Sequence, residues 1–175
     1  VLTAITAELC LQLADQPYDF FGHTDLLDFP GARSREKYRA DDTEAVARSQ
    51  VFWLLRRGKV AYLYQRYLQE QELTAMLLCF RDSNQEVASV PLMVADWIEQ
   101  THGATPAQRA QHADASLFLI LTMFDREFEL KAGQKDDTVE RWSTRFETVI
   151  QSFLAKTHDW PLNWTPDRAF DNSFW

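Results

Sequence analysis

The most apolar stretch of the chain is the run SLFLILTMF at residues 116–124, which contains no charged side chain. Thr105 followed by Pro106 is a typical helix start, and Gly133 is a residue that commonly ends helices. These signals predict one helix from Thr105 to about Lys131, with the apolar run at its middle. Because a helix that is apolar on every side must be contacted all round, we expect this helix to form the centre of the fold.

Apolar residues at helical spacing predict further helices on both sides of this central helix. Ile5, Leu9 and Leu13 lie four residues apart and indicate a short helix over residues 2–14. No stretch shows the pattern of a strand, and no hairpin signal occurs. The sequence therefore predicts an all-α, single-domain bundle of five to seven helices. The remaining predicted helices span residues 43–69, opened by Asp41 and Glu44 in a capping-box spacing; 70–80; 91–103, ended by Gly103; and 137–157, opened by Asp137 and Glu140.

The predicted domain divides into three parts. Residues 1–40 hold the first helix and a loop rich in aromatic and acidic residues, residues 41–157 form the helical core, and residues 158–175 form an irregular, tryptophan-rich tail packed on the body. The N-terminal stretch lacks the basic start of a signal peptide, and no stretch is apolar over the length of a membrane span. We expect Cys10 and Cys79 to be reduced thiols packed among apolar residues, which favours the cytoplasm.

The balance of charge is acidic, because 18 Lys and Arg stand against 26 Asp and Glu and give a formal net charge of −8. This balance argues against nucleic acid or a membrane surface as partner, since both are anionic. Residues 1–30 hold five acidic and no basic residues, whereas residues 31–70 hold nine basic and five acidic ones. Three interpretations stay open: the basic part packs against acidic parts of the same domain, it contacts an anion, or the acidic surface meets a basic protein. The candidate anion contacts are Arg33, Arg35, Lys37 and Arg39.

The motifs that mark common enzyme and cofactor sites do not occur in the sequence. It has no glycine-rich phosphate loop, no nucleophile elbow and no H-E-x-x-H zinc motif. Glu99 and His102 form one E-x-x-H spacing, but a di-iron site needs that spacing twice. We therefore expect His102 to lie at the end of its helix, where the helix dipole favours its protonated form. The sequence predicts no metal, no cofactor and no enzymatic activity.

The remaining features favour a protein that binds another protein. Acidic and aromatic residues occur together in the N-terminal loop and the C-terminal tail, and aromatic anchors surrounded by charge are typical of interfaces. We predict a non-enzymatic protein-binding domain, most concretely a bacterial, cytoplasmic immunity or antitoxin-like inhibitor that neutralises a basic, toxin-like partner protein. The tail aromatics would serve equally well to bind a second copy of the chain. The predicted contact residues are Asp19, Asp25, Asp28, Trp160, Trp164 and Asp167.

The alternative is a helical enzyme or small-molecule-binding protein with a pocket around the central helix. Asp125 or His102 would supply the polar group of that pocket. Enclosed in the central helix, Asp125 would need a basic partner such as Arg126, because an unpaired buried charge is costly. The lining residues would be Trp53, Tyr62, Tyr64, Trp97 and Phe124.

Overall fold

The computed structural model of the chain describes residues 6, 8–12, 14–15, 18–29, 44–81, 90–112, 114–125 and 138–175. The chain divides into two compact units, Val1–Gln69 and Glu70–Trp175. This boundary coincides with the end of the long helix predicted over residues 43–69. The single domain with its three parts stays a prediction.

The first unit holds one long helix and an N-terminal segment. Helix α1 spans Glu44–Gln69, as predicted from its good helix formers and the absence of proline. A 3-10 turn covers Asp19–Gly22. The helix predicted over residues 2–14 is wrong for the described residues of that stretch, none of which is helical. Leu9 and Leu11 are 76 % and 82 % exposed there, so no buried face stabilises a helix.

The second unit is built on a parallel sheet of three strands, which corrects the prediction of an all-α bundle. Strand β2 (Leu117–Leu121) lies in the middle, with β1 (Met76–Phe80) and β3 (Ser173–Phe174) on either side. The described part of the chain is therefore a mixed α/β fold with four α-helices. In chain order the elements of this unit are β1 (Met76–Phe80), α2 (Val90–Thr101), α3 (Pro106–Arg109), β2 (Leu117–Leu121), α4 (Thr138–Glu147), a π-helix over Thr148–Leu154, and β3 (Ser173–Phe174).

Two of the predicted helices are strands. The segment predicted as a helix over residues 70–80 contains β1, and the predicted central helix shrinks to the single turn α3, after which the apolar run forms β2. The predicted end of that helix, residues 126–131, lies outside the described residues. The run is nevertheless central, because the middle strand of a parallel sheet is contacted on both sides by its neighbours.

The two faces of the sheet differ in burial. On one face the three leucines of β2, among them Leu119, are at most 1 % exposed. On the other face Phe118 and Ile120 are half-buried, and Leu77 of the paired strand β1 is 53 % exposed. Because successive side chains of a strand point to opposite faces, the core of this unit lies on the Leu119 side of the sheet.

The helix predicted over residues 91–103 is confirmed as α2, and its end requires a glycine. The N–H groups of His102 and Gly103 both donate to the carbonyl of Ile98, at 2.8 and 3.0 Å, and Gly103 has a φ of 101°. A Cβ at this position would lie 2.5 Å from the Cβ of Gln108. Both the left-handed backbone and the close approach of Gln108 therefore select glycine here.

Start signals read from the sequence are confirmed where the structure describes them. The Thr105 hydroxyl accepts from the N–H of Gln108, and the Gln108 side chain accepts from the N–H of Thr105, which completes a capping box. The helix predicted over residues 137–157 is confirmed from Thr138 onward as α4 and its π-helical continuation. The predicted caps Asp41 and Asp137 lie outside the described residues.

Helix α4 holds the turn that follows β2. Met123 in this turn has a φ of 59°, a left-handed conformation that costs a non-glycine residue about 1 kcal/mol or more. Arg145 of α4 is 8 % exposed and donates to the carbonyls of Thr122 and Met123, at 2.6 and 3.3 Å. Its guanidinium also lies 5.1 Å from the centroid of the Phe124 ring. These contacts connect α4 directly to the carboxyl end of the central strand.

Candidate functional site

The first unit exposes a cluster of aromatic rings within residues 18–29, which we call the acidic aromatic segment. The rings of Phe20 and Phe21 stack with their centroids 4.2 Å apart, and Tyr18 stacks on Phe20 at 6.1 Å. The 3-10 turn brings the rings together, because the N–H of Phe21 donates to the carbonyl of Tyr18 at 3.1 Å. Although they stack on each other, Tyr18 and Phe20 are 66 % and 55 % exposed.

The same segment also carries three carboxylates. Asp19, Asp25 and Asp28 are all exposed, and the segment contains no Lys or Arg. Leu26, which lies between two of these aspartates, is 74 % exposed. The three predicted contact residues of the N-terminal loop therefore lie on the surface next to exposed apolar groups. Their contact with a partner stays a prediction.

Helix α1 anchors the N-terminal chain on both sides of the exposed rings. The ring of Phe29 meets those of Tyr64 and Tyr67 edge-on, with centroids 5.6 and 5.9 Å apart. Upstream of the rings, the hydroxyl of Tyr67 donates to Oε2 of Glu8 at 2.9 Å. The chain is thus held against α1 at Glu8 and at Phe29, and the exposed rings lie between these two anchors in the sequence.

Glu8 adds negative charge to this surface. The thiol of Cys10 donates to its Oε1 at 3.0 Å, and this bond, followed by the one from Tyr67, lowers the pKa of Glu8. The same bond to Glu8 raises the pKa of the Cys10 thiol. Cys10 and Cys79 form no disulfide, and both are exposed, so the prediction that they pack among apolar residues is wrong.

In the second unit, His102 at the end of α2 is a buried histidine with hydrogen bonds on both ring nitrogens. It is 3 % exposed, and the N–H of Ser116 donates to its Nε2 at 3.2 Å. Because Nε2 accepts, the proton of the neutral ring lies on Nδ1, 2.7 Å from the hydroxyl of Thr101, which itself donates to the carbonyl of Trp97. The ring centroid lies 5.2 Å from that of Trp97 and 5.4 Å from that of Trp164.

This environment keeps His102 neutral at neutral pH. Burial lowers its pKa, and the neighbouring charges of His112 and Arg109 lower it further. The prediction that the helix dipole favours a protonated His102 is therefore wrong. The backbone carbonyl of Ser116 accepts a hydrogen bond from the N–H of Met76, the first residue of β1, at 2.9 Å. Because the N–H of Ser116 donates to His102, the neutral imidazole connects the end of α2 to the start of the sheet.

We expect the free energy of unfolding to fall as the pH decreases below about 6.5, the pKa of an unperturbed histidine. Above this pH, residue 102 is neutral in both states. Below it, the unfolded chain binds a proton that buried His102 resists, because its pKa in the folded state is lowered. One such group contributes a slope of at most about 1.4 kcal/mol per pH unit. Urea unfolding between about pH 5 and pH 8 measures it.

The variant His102→Gln isolates this contribution, because glutamine offers an amide to Ser116 and does not titrate. We expect the free energy of unfolding of this variant to change less steeply with pH than that of the wild type. The difference in slope corresponds to at most one proton taken up on unfolding. The matched control is His23→Gln, which removes an exposed histidine of the first unit. Equal slopes for the wild type and His102→Gln would contradict the prediction.

Arg109 of α3 is a buried cation of this unit. It is 3 % exposed and donates to the carbonyls of Trp164, Asn163 and Ala104, at 2.8, 2.7 and 3.0 Å. Burial lowers the pKa of its guanidinium, and the carboxylate of Asp159 opposes this shift. Arg109 therefore connects the loop before α3 to the C-terminal segment.

Comparison with known proteins identifies the family of the chain. A family model described as "Putative bacterial virulence factor" matches residues 1–175. The chain belongs to this family. No curated protein and no solved structure matches the chain. The family description names no reaction and no partner.

The C-terminal segment of this family member belongs to the core. Trp160 and Trp164 are 3 % and 8 % exposed, and their rings lie 5.4 and 5.1 Å from that of Phe170. They act here as packing residues, and burial leaves them almost no surface for a partner in this conformation. Asp167 is exposed. A role of these three residues in binding stays an untested prediction, and the candidate anion contacts Arg33, Arg35, Lys37 and Arg39 lie outside the described residues.

The pocket predicted around a central helix has no basis, because residues 117–121 form a strand instead of that helix. Asp125 is exposed, so it is not the enclosed acid that the sequence predicted. Of the predicted lining residues, Tyr62 and Tyr64 belong to the first unit, Trp97 and Phe124 belong to the second, and the Trp53 side chain lies outside the described part.

The part of the chain that the structure describes contains no cluster of metal-binding side chains and no membrane-spanning helix. No group of three or more His, Cys, Asp or Glu side chains in this part is arranged to hold a metal ion, and Glu99 of the E-x-x-H spacing is exposed. None of the helices in the described ranges combines the length and the apolar character needed to cross a membrane.

Proposed function

We propose that the chain is a non-enzymatic protein-binding domain that recognises a basic protein surface through the acidic aromatic segment. The observation that carries this proposal is the stack of Tyr18, Phe20 and Phe21, two of whose rings are more than half exposed, in a segment that also carries three exposed carboxylates. Aromatic anchors with a charged surround are typical of residues that dominate binding energy in protein interfaces.

The exposed rings would supply the affinity. Complete burial of a side chain such as Phe or Leu contributes about 1.5–3 kcal/mol relative to exposure, and Tyr18, Phe20 and Leu26 are each more than half exposed. Binding also costs free energy because side chains and loops become ordered at an interface. The rings already stack on one another, and Phe29 anchors their segment on α1, so part of that ordering is complete before a partner arrives.

The carboxylates would set the chemistry of the partner. Asp19, Asp25 and Asp28 carry three negative charges within a segment that lacks Lys and Arg. Charge complementarity raises the rate of encounter with a basic surface and disfavours acidic ones. The absence of catalytic motifs from the sequence supports a binding role over an enzymatic one.

The immunity or antitoxin-like inhibitor is the narrow form of this proposal, in which the basic surface belongs to a toxin. The acidic charge of the segment supports this narrow form. The family description refers to virulence and does not mention inhibition. A cytoplasmic location is supported by the two exposed thiols, because exposed cysteines stay reduced in reducing compartments.

The test is affinity capture from the bacterial host with the full chain and with the double variant Asp25→Asn/Asp28→Asn. We expect the wild type to recover a basic protein, and we expect the variant to bind that purified protein at least about tenfold more weakly and with a weaker dependence on salt. The neutral amides keep the shape of the carboxylates, so the loss would report their charge.

The matched control is Glu99→Gln/Glu140→Gln, which removes two exposed carboxylates outside the acidic aromatic segment. We expect this control to bind the recovered protein like the wild type. A partner that binds the Asp25→Asn/Asp28→Asn variant with unchanged affinity, or a recovered partner with an acidic contact surface, would refute the proposal.

A further inference from the structure

The three rings of the acidic aromatic segment are almost parallel to one another. The planes of Tyr18 and Phe20 differ by 20° and those of Phe20 and Phe21 by 29°, with centroids 6.1 and 4.2 Å apart. Tyr18 and Phe21 differ by 36°, with centroids 6.4 Å apart. Separations of this size between near-parallel rings indicate offset stacking, in which part of each ring face stays uncovered. The segment therefore presents aromatic faces to solvent, in agreement with the 66 % and 55 % exposure of Tyr18 and Phe20.

An aromatic face differs from other apolar surface because it attracts cations. The π electrons give the face of a ring a partial negative charge, and a Lys or Arg side chain within about 6 Å of the ring centroid is attracted to it. Two contacts of this kind occur among the described residues of the second unit. The guanidinium of Arg109 lies 5.5 Å from the centroid of a Trp164 ring, and that of Arg145 lies 5.1 Å from the centroid of the Phe124 ring. In both contacts the cation is an arginine.

The charge of the segment favours the same kind of ligand. Residues 18–29 contain no Lys or Arg, and they contain three exposed carboxylates, those of Asp19, Asp25 and Asp28. A carboxylate attracts cations over a distance and binds a guanidinium through two parallel hydrogen bonds. The rings and the carboxylates of one short segment are therefore both complementary to cationic side chains.

The rings distinguish between the two cationic side chains. A guanidinium is planar and weakly hydrated, so it stacks on an aromatic face and keeps N–H groups available for a carboxylate. An ammonium is compact and strongly hydrated, so it gives up more of its hydration when it lies over a ring. Carboxylates alone attract both cations, whereas carboxylates together with open aromatic faces favour arginine.

We propose that the acidic aromatic segment selects arginine side chains of its partner, which stack on the exposed faces of Tyr18 and Phe20 and pair with carboxylates of the same segment. This inference rests on the proposed function, because it specifies which cationic side chain makes the partner surface basic. A surface of equal charge that is built from lysine would bind more weakly.

The experiment measures the affinity of the full chain for two synthetic peptides of equal length and charge, one alternating glycine with arginine and the other alternating glycine with lysine. Titration followed by NMR chemical shifts detects weak binding to either peptide. We expect the arginine peptide to bind at least about threefold more tightly than the lysine peptide. Equal affinities, or no binding of the arginine peptide, would overturn the inference.

The variant Tyr18→Leu/Phe20→Leu separates the aromatic faces from plain apolar surface, because leucine keeps an apolar side chain and has no π electrons. We expect this variant to lose the preference for arginine and to bind both peptides with similar affinity. The matched control is Tyr62→Leu, which removes a 66 % exposed tyrosine of α1 and is expected to keep the preference. An unchanged preference in Tyr18→Leu/Phe20→Leu would contradict the role of the rings.

The variant Asp25→Asn/Asp28→Asn distinguishes this inference from the proposed function. We expect it to bind both peptides more weakly than the wild type does and to keep a preference for arginine, because its rings are intact. A wild type without a preference for arginine, whose binding to a basic host protein still depends on Asp25 and Asp28, would overturn the inference and leave the proposed function standing. Binding of that protein without any dependence on these two carboxylates would refute the proposed function itself.

Discussion

Replacement of Arg109 by Ala is expected to lower the free energy of unfolding by about 3 to 5 kcal/mol. The guanidinium donates from Nε to the carbonyl of Trp164 at 2.8 Å and from its terminal nitrogens to the carbonyls of Asn163 and Ala104, at 2.7 and 3.0 Å. Alanine would leave these carbonyls without their donor in a site where the arginine is only 3 % exposed. Each buried polar group that loses its partner costs about 1 to 3 kcal/mol.

Urea unfolding of the full chain measures this effect. Two further variants serve as comparisons. Arg109→Lys keeps the charge and loses the planar fork that reaches several carbonyls, so we expect it to recover only part of the stability. Arg168→Ala removes an exposed arginine that pairs with exposed Asp171, and we expect it to change the stability by less than about 0.5 kcal/mol. A loss of similar size in Arg109→Ala and Arg168→Ala would show that Arg109 does not connect the C-terminal segment to the core.

Helices were predictable where several local signals agreed. Residues 44–69 contain good helix formers and no proline, and they form α1. Pro91 and Gly103 mark the start and end of α2, and the apolar spacing after residue 137 marks α4. The signals agree in these segments because propensity, capping and amphipathic spacing all report on the same few turns of chain.

The strands were not predictable from the same kind of pattern. A short apolar run satisfies a buried helix and a buried parallel strand equally, because both are contacted on every side. The run at residues 116–124 becomes β2 since it pairs with β1, some forty residues earlier, and with β3, some fifty residues later. Pairing at such separations leaves no periodic trace in the local sequence. The confirmed start signal at Thr105 added to the error, because it opens a single turn rather than a long helix.

The candidate site was predictable in part. The sequence drew attention to the acidic N-terminal loop, whose apolar content requires either burial or a partner, and the structure exposes Tyr18, Phe20 and Leu26 in that loop. The tail was predicted to pack on the body, but its Trp160 and Trp164 were assigned to a partner surface, and the structure buries both. No sequence pattern indicated that Arg109 binds backbone carbonyls some fifty residues away. A backbone carbonyl is the same in every residue, so a contact of this kind carries no sequence signal.

Leu119→Ala in the second unit is expected to lower the free energy of unfolding by about 3 to 4 kcal/mol, within the range for leucines in well-packed cores. Leu119 is 0 % exposed at the centre of the middle strand, on the face of the sheet that lies against the core. Its removal leaves a cavity that strands paired on both sides of β2 have little freedom to close. Urea or thermal unfolding measures the loss.

The matched control is Leu77→Ala, the same truncation on the adjacent strand but on the other face of the sheet. Leu77 is 53 % exposed, so we expect a loss below about 1 kcal/mol.

A second comparison separates a strand from a helix at residues 117–121. Alanine at 117, 119 and 121 should cost more than alanine at 118 and 120, because burial alternates with a period of two along β2. A helical segment would instead place its costly positions three and four residues apart, so a series in which residues 118 and 121 or 117 and 120 respond together would contradict the sheet.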